Sequence, residues 1–126
     1  MKGMMSIRFF ADTYALIEII KGNLNYKVYL DFDLVTTKFN LIELYYHCLN
    51  HHSVEDADKY LNIYSPFALP IVDSAIKLGM EFKLKYKKEK LSYVDCVGYA
   101  MASVLGIKFL TGDRQFATKE NVEFVK

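Results

Sequence analysis

Short apolar runs that pass straight into helical patterns constrain this chain more than any other feature. Residues 7–11, IRFFA, read as a strand buried on both faces. They lead at once into Thr13–Lys21, where Ala15, Leu16, Ile19 and Ile20 share one helical stripe that ends at Gly22-Asn23. Residues 34–37, LVTT, are β-branched and strand-like, and they lead into a helix over 40–50 whose buried stripe is Leu41, Leu44, Tyr45 and Cys48. Between these units, residues 25–33, NYKVYLDFD, fit either an alternating strand or a short helix.

The same alternation continues to the end of the sequence. Ser53 caps a helix through Tyr64, with Glu55 and Asp56 in its first turn. Pro66 and Pro70 bracket a short FAL segment, and an amphipathic helix runs from Asp73 to about Lys87. Ser92 to Leu105 is an apolar helix, with Val94, Val97, Ala100, Met101 and Val104 on its buried side and Gly106 as its C-terminal cap. Strands at 107–111, IKFLT, and 122–125, VEFV, complete the pattern. Strands alternating with helices predict an α/β fold, a three-layer α/β/α arrangement around a mostly parallel central sheet. With 126 residues, just over half of them apolar, the chain fits one domain spanning 1–126.

In an open parallel sheet the functional crevice lies beyond the carboxyl ends of the strands. Asp12 directly follows the first strand and Asp113 follows the strand that ends at Leu110-Thr111. Glu43 stands one turn into an apolar helix, among Leu41, Ile42 and Leu44, and Asp95 lies in the first turn of the apolar helix 92–105. Each acid also has a plain structural reading. Asp12 can cap a helix, Glu43 can complement a helix dipole, and Ser92 with Asp95 fits the S-x-x-D capping pattern. If the four share one pocket, charges about 5 Å apart at an effective dielectric of about 20 repel by roughly 3 kcal/mol per pair. Protonation or divalent cations must then relieve the repulsion, and an all-oxygen site suits Mg²⁺ or Mn²⁺ rather than zinc. Phosphodiester hydrolysis is the chemistry such a site supports.

These residues fall in four ordered motifs that resemble the PIN-domain ribonuclease family, in its VapC-like prokaryotic and archaeal form. The stretches are FFADTYALIEIIKGN, LVTTKFNLIELYYH, LSYVDCVGYAMASVLGIKFLTGD and the RQF that follows, so the likeness covers nearly the whole chain. The resemblance implies that Asp12, Glu43, Asp95 and Asp113 form an acidic quartet that binds Mg²⁺ or Mn²⁺ and cleaves single-stranded RNA, leaving a 5′-phosphate and a 3′-hydroxyl. It implies that Thr13 and Thr111 orient the acids or the attacking water. Phe116 stands where some members carry a further acid. The resemblance also implies a homodimer and, for toxin members of a toxin-antitoxin pair, a small antitoxin protein that covers the site. Two alternatives stay open: a housekeeping nuclease that processes ribosomal or transfer RNA, and a non-cleaving module that binds RNA or a partner.

The net charge of +1 excludes a general polyanion-coating role, so any RNA contact must come from local clusters. Residues 82–90, FKLKYKKEK, carry Lys83, Lys85, Lys87, Lys88 and Lys90, which form either a solvated helix end or an RNA-backbone contact. Arg114, beside Asp113, is the stronger candidate for the scissile phosphate or its neighbour. Glu43, His47 and His51 recur at four-residue spacing and could clasp zinc, although a solvated helix edge or an RNA-touching rim accounts for the histidines more simply. A dehalogenase-type phosphatase needs a second Asp two residues after the first, and that position is Tyr14. Cys48 and Cys96 form no C-x-x-C pair and read as small core residues in a reducing cytoplasm. The opening residues MKGMMSIRFFADTYA hold no continuous apolar leader segment, and no apolar run approaches the roughly 20 residues of a membrane span. A cytoplasmic protein without membrane contact is expected.

Overall fold

Side chains along a strand alternate between its faces, and β1 (Arg8–Ala11) uses that alternation to seed two cores. Phe9 and Ala11 point to one face of the sheet and Phe10 to the other, and all three are buried. The computed structural model describes residues 7–126. The first six residues of the opening stretch, and with them part of the leader-segment expectation, lie outside it. β2 (Asp33–Val35), β3 (Lys108–Thr111) and β4 (Val122–Phe124) join β1 in a four-stranded sheet of order β2-β1-β3-β4. Every pairing is parallel: Phe9 sits opposite Leu34 and Lys108, and Leu110 opposite Glu123.

Helices cover both faces, which gives the expected three layers. On the Phe9–Ala11–Leu110 face pack α1 (Thr13–Ile20), α2 (Lys38–His51) and α3 (Val54–Tyr64), through Leu16, Leu41, Leu44, Cys48 and Ala57. On the Phe10–Phe109 face pack α4 (Asp73–Lys85) and α5 (Tyr93–Leu105), through Ala75, Cys96, Val97, Ala100 and Met101. Phe10 and Phe109 stack at 5.9 Å between centroids, and Phe116 packs 5.0 Å from Phe109, so aromatic rings fill this second core. Both cysteines are buried and unpaired.

Several boundaries differ from the sequence expectation for identifiable reasons. The ambiguous stretch is helical, a 3₁₀ helix over Leu24–Asp31 that buries Tyr26 and Tyr29 against the first core. The strand read over LVTT stops at Val35. Thr36 leaves the ladder to pair with the FAL segment, its N–H donating to the Phe67 carbonyl (3.0 Å) and its own carbonyl accepting from Leu69 (2.8 Å), while Thr37 caps α2. α4 ends at Lys85, and a 3₁₀ turn at Lys87–Glu89 follows, closed by Lys90 in the left-handed region. Val104 is exposed, because the last turn of α5 runs past the edge of the core before Gly106 caps it at φ +69°.

Candidate active site

Each predicted acid is set by a turn that its own neighbours define. Asp12 follows β1, caps α1 by accepting from the Ala15 N–H (2.8 Å), and is only 1% exposed. The Thr111 hydroxyl also donates to its carboxylate. Burial pushes the Asp12 carboxyl up to about 8, and the negative charges of Asp95 and Asp113 push the same way. Thr111 also holds the loop beyond it, since its Oγ1 accepts from the Asp113 N–H at 3.0 Å. Asp113 in turn caps the 3₁₀ turn Arg114–Phe116, accepting from the Gln115 N–H at 3.0 Å. One threonine hydroxyl therefore links the first acid to the fourth.

A second network carries Glu43. The Thr13 hydroxyl donates to the Glu43 carboxylate and accepts from the Asn40 side-chain amide at 3.2 Å. The Asn40 carbonyl oxygen accepts from the Thr37 hydroxyl at 2.7 Å, and Asn40 is fully buried. Glu43 is thus half-buried and turned toward α1, not part of a solvated face. Asp95 sits in a capping box closed in both directions. Its N–H donates to the Ser92 hydroxyl oxygen (3.0 Å), and its carboxylate accepts from the Ser92 side chain and backbone. Burial still pushes its carboxyl up to about 6, with the charges of Asp113 and Glu43 adding to the rise.

Charge coupling runs pairwise among the four acids beside the carboxyl end of the sheet. Asp12 feels Asp95 and Asp113, and Asp95 feels Asp113 and Glu43. They do not close on a single point. Among the described residues, no group of three or more His, Cys, Asp or Glu side chains is arranged to hold a metal ion as it stands. The bonds above supply the reason, since each carboxylate is turned toward its own local donor, which lowers like-charge repulsion. The donor set is all oxygen, carboxylate and hydroxyl, and that chemistry fits a hard divalent cation such as Mg²⁺ or Mn²⁺.

The cationic candidates divide. Arg114 is exposed in the turn that Asp113 caps. Lys83 is half-buried and committed: its Nζ donates to the Leu91 carbonyl and lies 4.7 Å over the Tyr93 ring, fastening α4 to the start of α5. Lys85, Lys87 and Lys88 are exposed, Lys85 lying 5.4 Å over the Tyr86 ring. The turn with Lys87 and Lys88 is tied to the Asp113 turn, because Gln115 Nε2 donates to the Glu89 carbonyl (2.8 Å) and Lys119 pairs with the Glu89 carboxylate (2.9 Å). The turn that carries these two lysines therefore lies against the segment that follows Asp113.

Glu43 takes no part in a histidine clasp. His47 and His51 rings lie 4.5 Å apart near His52, while Glu43 faces Thr13. Burial and the neighbouring His51 and His52 hold His47 below its ordinary value. The sequence reading missed Thr36, Thr37 and Asn40, all buried. Asn40 left a signal: it stands one turn before Leu44, on the apolar stripe of α2, where a polar residue needs a partner.

The chain matches a family model in sequence and known structures in fold. The family model described as PIN domain matches residues 9–121. No curated protein matches. Among solved structures, the VapC20 toxin of Mycobacterium tuberculosis, described as cleaving the sarcin-ricin loop, superposes with a TM-score of 0.76 at 15% identity, over 94% of this chain and 99% of that one. VapBC2 from Rickettsia felis, bound to a DNA fragment from its promoter, gives 0.75 at 15% identity, over 95% of this chain and 100% of that one. A toxin-antitoxin complex from Klebsiella pneumoniae gives 0.71 at 19% identity, over 94% and 96%. At these identities the structures establish a shared fold. No helix among the described residues is long and apolar enough to cross a membrane.

Proposed function

The chain belongs to the PIN-domain family, and from that premise we propose that it is a metal-dependent endoribonuclease, the toxin of a toxin-antitoxin pair. The observation that carries the reading is the charge coupling of Asp12 with Asp95 and Asp113, and of Asp95 with Asp113 and Glu43, beside the carboxyl end of a parallel sheet. Four acids held that close, two of them with raised carboxyls, are poised to gain from a cation. Mg²⁺ or Mn²⁺ bound there supplies the positive charge that lets water ionise near neutral pH and that offsets charge on the phosphate.

The chain's own residues supply the rest. Asp12, Glu43, Asp95 and Asp113 are the proposed holders of the cation, and Asp12, held by Ala15 and Thr111, is the most deeply buried of them. Thr13 and Thr111 orient Glu43 and Asp12 by donating to their carboxylates. Arg114, Lys87 and Lys88 are the proposed contacts to the RNA backbone, which they position without reading its sequence. Lys83 and Lys85 stay among the candidates, with Lys83 acting through Tyr93 and the α4–α5 junction. The substrate is single-stranded or structured RNA, in keeping with the sarcin-ricin-loop activity described for the VapC20 toxin.

An antitoxin partner and a homodimer belong to the same proposal. Phe39, Ile42, Tyr46 and Leu49 recur along one side of α2 and are exposed, Tyr46 by 70%, a stripe suited to an amphipathic partner helix. The toxin-antitoxin complexes among the similar structures support the proposal of an antitoxin partner. Light scattering on the isolated chain tests the dimer.

Purified protein is expected to cleave single-stranded RNA with Mn²⁺ or Mg²⁺ and to stop on addition of EDTA. Full cleavage in EDTA, or none with any divalent ion across several RNAs, contradicts the proposal. The competing reading is a module that binds RNA without cutting it. RNA retained on the protein with Mn²⁺ present but left intact identifies that case.

A further inference from the structure

The family match stops at residue 121, yet the chain continues along the candidate site. Beyond that point the Val125 N–H donates to the Thr111 carbonyl (2.9 Å). The Tyr26 hydroxyl donates to the Val125 carbonyl (2.6 Å) and the Tyr29 hydroxyl to the Glu123 carboxylate (2.6 Å). The side-chain amides of Asn23 and Asn25 each donate to the Lys126 carbonyl at 3.2 Å. These bonds lay β4 and the two residues after it as a strap along β3 and across the 3₁₀ helix at Leu24–Asp31.

The strap delivers one cation to the site's framework. Lys126 Nζ donates to the Gly112 carbonyl at 3.1 Å and lies 5.0 Å over the Tyr14 ring. Gly112 stands between Thr111 and Asp113, and Tyr14 stands two residues after Asp12. The packing there has no slack: a Cβ on Gly112 would lie 2.2 Å from the Tyr14 ring and 2.3 Å from the Val125 carbonyl. Only glycine lets the loop, the ring and the strap meet. The ammonium's contacts go to a carbonyl and a ring face, so it acts on the two acid-bearing segments through their neighbours.

We propose that Lys126 is a positioning residue for the acidic site, fixing the Asp113-bearing loop against the Asp12-bearing turn by joining Gly112 to Tyr14. Its catalytic consequence rests on the nuclease reading above, whereas its structural consequence does not. Lys126 is exposed, so the bond adds little to global stability. It restricts local opening of the 111–113 loop instead.

Lys126→Met keeps the hydrocarbon stem over Tyr14 and removes the charge, and Lys126→Arg restores a donor. Amide hydrogen exchange at Asp113 and Val125, both hydrogen-bonded in this region, reports the loop without reference to activity. In Lys126→Met, exchange at these amides is expected to quicken roughly tenfold while the melting temperature stays within about 2 °C. RNA cleavage with Mn²⁺ is expected to lose roughly fivefold or more in kcat with KM within about twofold, and Lys126→Arg to recover both readouts. Unchanged exchange and kcat in Lys126→Met overturn the proposal. A rise in KM at constant kcat also overturns it, since Lys126 would then touch the RNA directly, and so does failure of Lys126→Arg to rescue. If the unaltered protein neither cleaves RNA nor binds Mn²⁺ in calorimetry, the nuclease reading falls, and exchange alone decides the role of Lys126.

Discussion

At the amino end of the sheet β1 and β3 begin on exposed basic residues, Arg8 and Lys108, and the core starts at Phe9 and Phe109 without a buried polar group. At the carboxyl end the same strands run into Asp12 and Thr111, while β2 leads into Thr36, Thr37 and, one turn on, Asn40. These five are the buried polar or charged residues among those described. Burying such groups opposes folding unless each finds a partner, and here they satisfy one another and their own turns. One end of the sheet is built for stability, whereas the other gives up stability to hold charge in place.

Substitution of a single residue at each end gives the largest test of that contrast. Asp12→Asn is expected to cut RNA cleavage by roughly a thousandfold, about 4 kcal/mol at the transition state, while raising the melting temperature of metal-free protein at pH 8.5. Asn keeps the cap to Ala15 and removes the buried charge. Phe109→Ala is expected to do the opposite, costing about 3–5 kcal/mol of stability through the cavity it leaves with kcat retained in the folded fraction. Thermal melts and single-turnover kinetics on the two variants check both halves. Destabilisation by Asp12→Asn at pH 8.5 would break the comparison.

The pH dependence of stability follows from the same end. Asp12 is raised from 3.8 to about 8 and Asp95 from 3.8 to about 6, each chiefly by burial. The folded protein therefore binds protons that the unfolded chain has released, so stability falls as pH rises from about 4. Asp95 contributes to the fall up to about 6 and Asp12 up to about 8. Melting of metal-free protein should drop by roughly 5 °C or more between pH 5 and 8, and Mn²⁺ should flatten the slope. In Asp12→Asn the part of the slope above pH 6 should vanish. A flat profile in metal-free protein would place the acids in a more solvated site than their burial indicates.

Much of this end was legible in the sequence because strand ends and helix starts are marked by residues with few other uses. Asp12 and Asp113 follow short apolar runs, and Ser92 opens a helix, so their placement required only the alternation of elements. The partners were not legible. That Thr111 serves both Asp12 and Asp113, or that Thr13 ties Glu43 to Asn40, depends on how β1, β3 and α2 approach one another across the fold. Spacing along one helix likewise allowed a clasp of Glu43 with His47 and His51, the less simple reading of the histidines, and packing against α1 turns the carboxylate to Thr13 instead. The 3₁₀ helix at Leu24–Asp31 was ambiguous because Tyr26 and Tyr29 fit either period, and burial of both against the first core resolved it.

Asn40 offers a smaller test, since it is a polar residue that supports the acids without being one of them. Asn40→Ala removes the donor to Thr13 and the acceptor for Thr37, leaving buried groups unpaired at a cost of about 1–3 kcal/mol. Cleavage should fall by roughly tenfold as Glu43 loses its held partner. Loss of stability with full activity would place Asn40 with the apolar framework rather than with the site.

The smallest effect on stability concerns Asp95 and its cap, where a structural role and a chemical one coincide. Its capping box with Ser92 is closed in both directions, so the box fully accounts for the carboxylate's hydrogen bonds. It does not account for burial that lifts the carboxyl to about 6, nor for the charges of Asp113 and Glu43 facing it. A cap used only for stability gains nothing from such surroundings, because burial and neighbouring like charge both oppose the ionised form. Ser92→Ala should therefore cost about 1 kcal/mol of stability and leave cleavage within severalfold of normal, since the acid itself remains. Asp95→Asn should leave stability near normal, or raised above pH 6, and abolish cleavage. Were Asp95→Asn to retain cleavage while losing the stability expected of Ser92→Ala, the box would be the whole of its role, and the charged end of the sheet would rest on three acids.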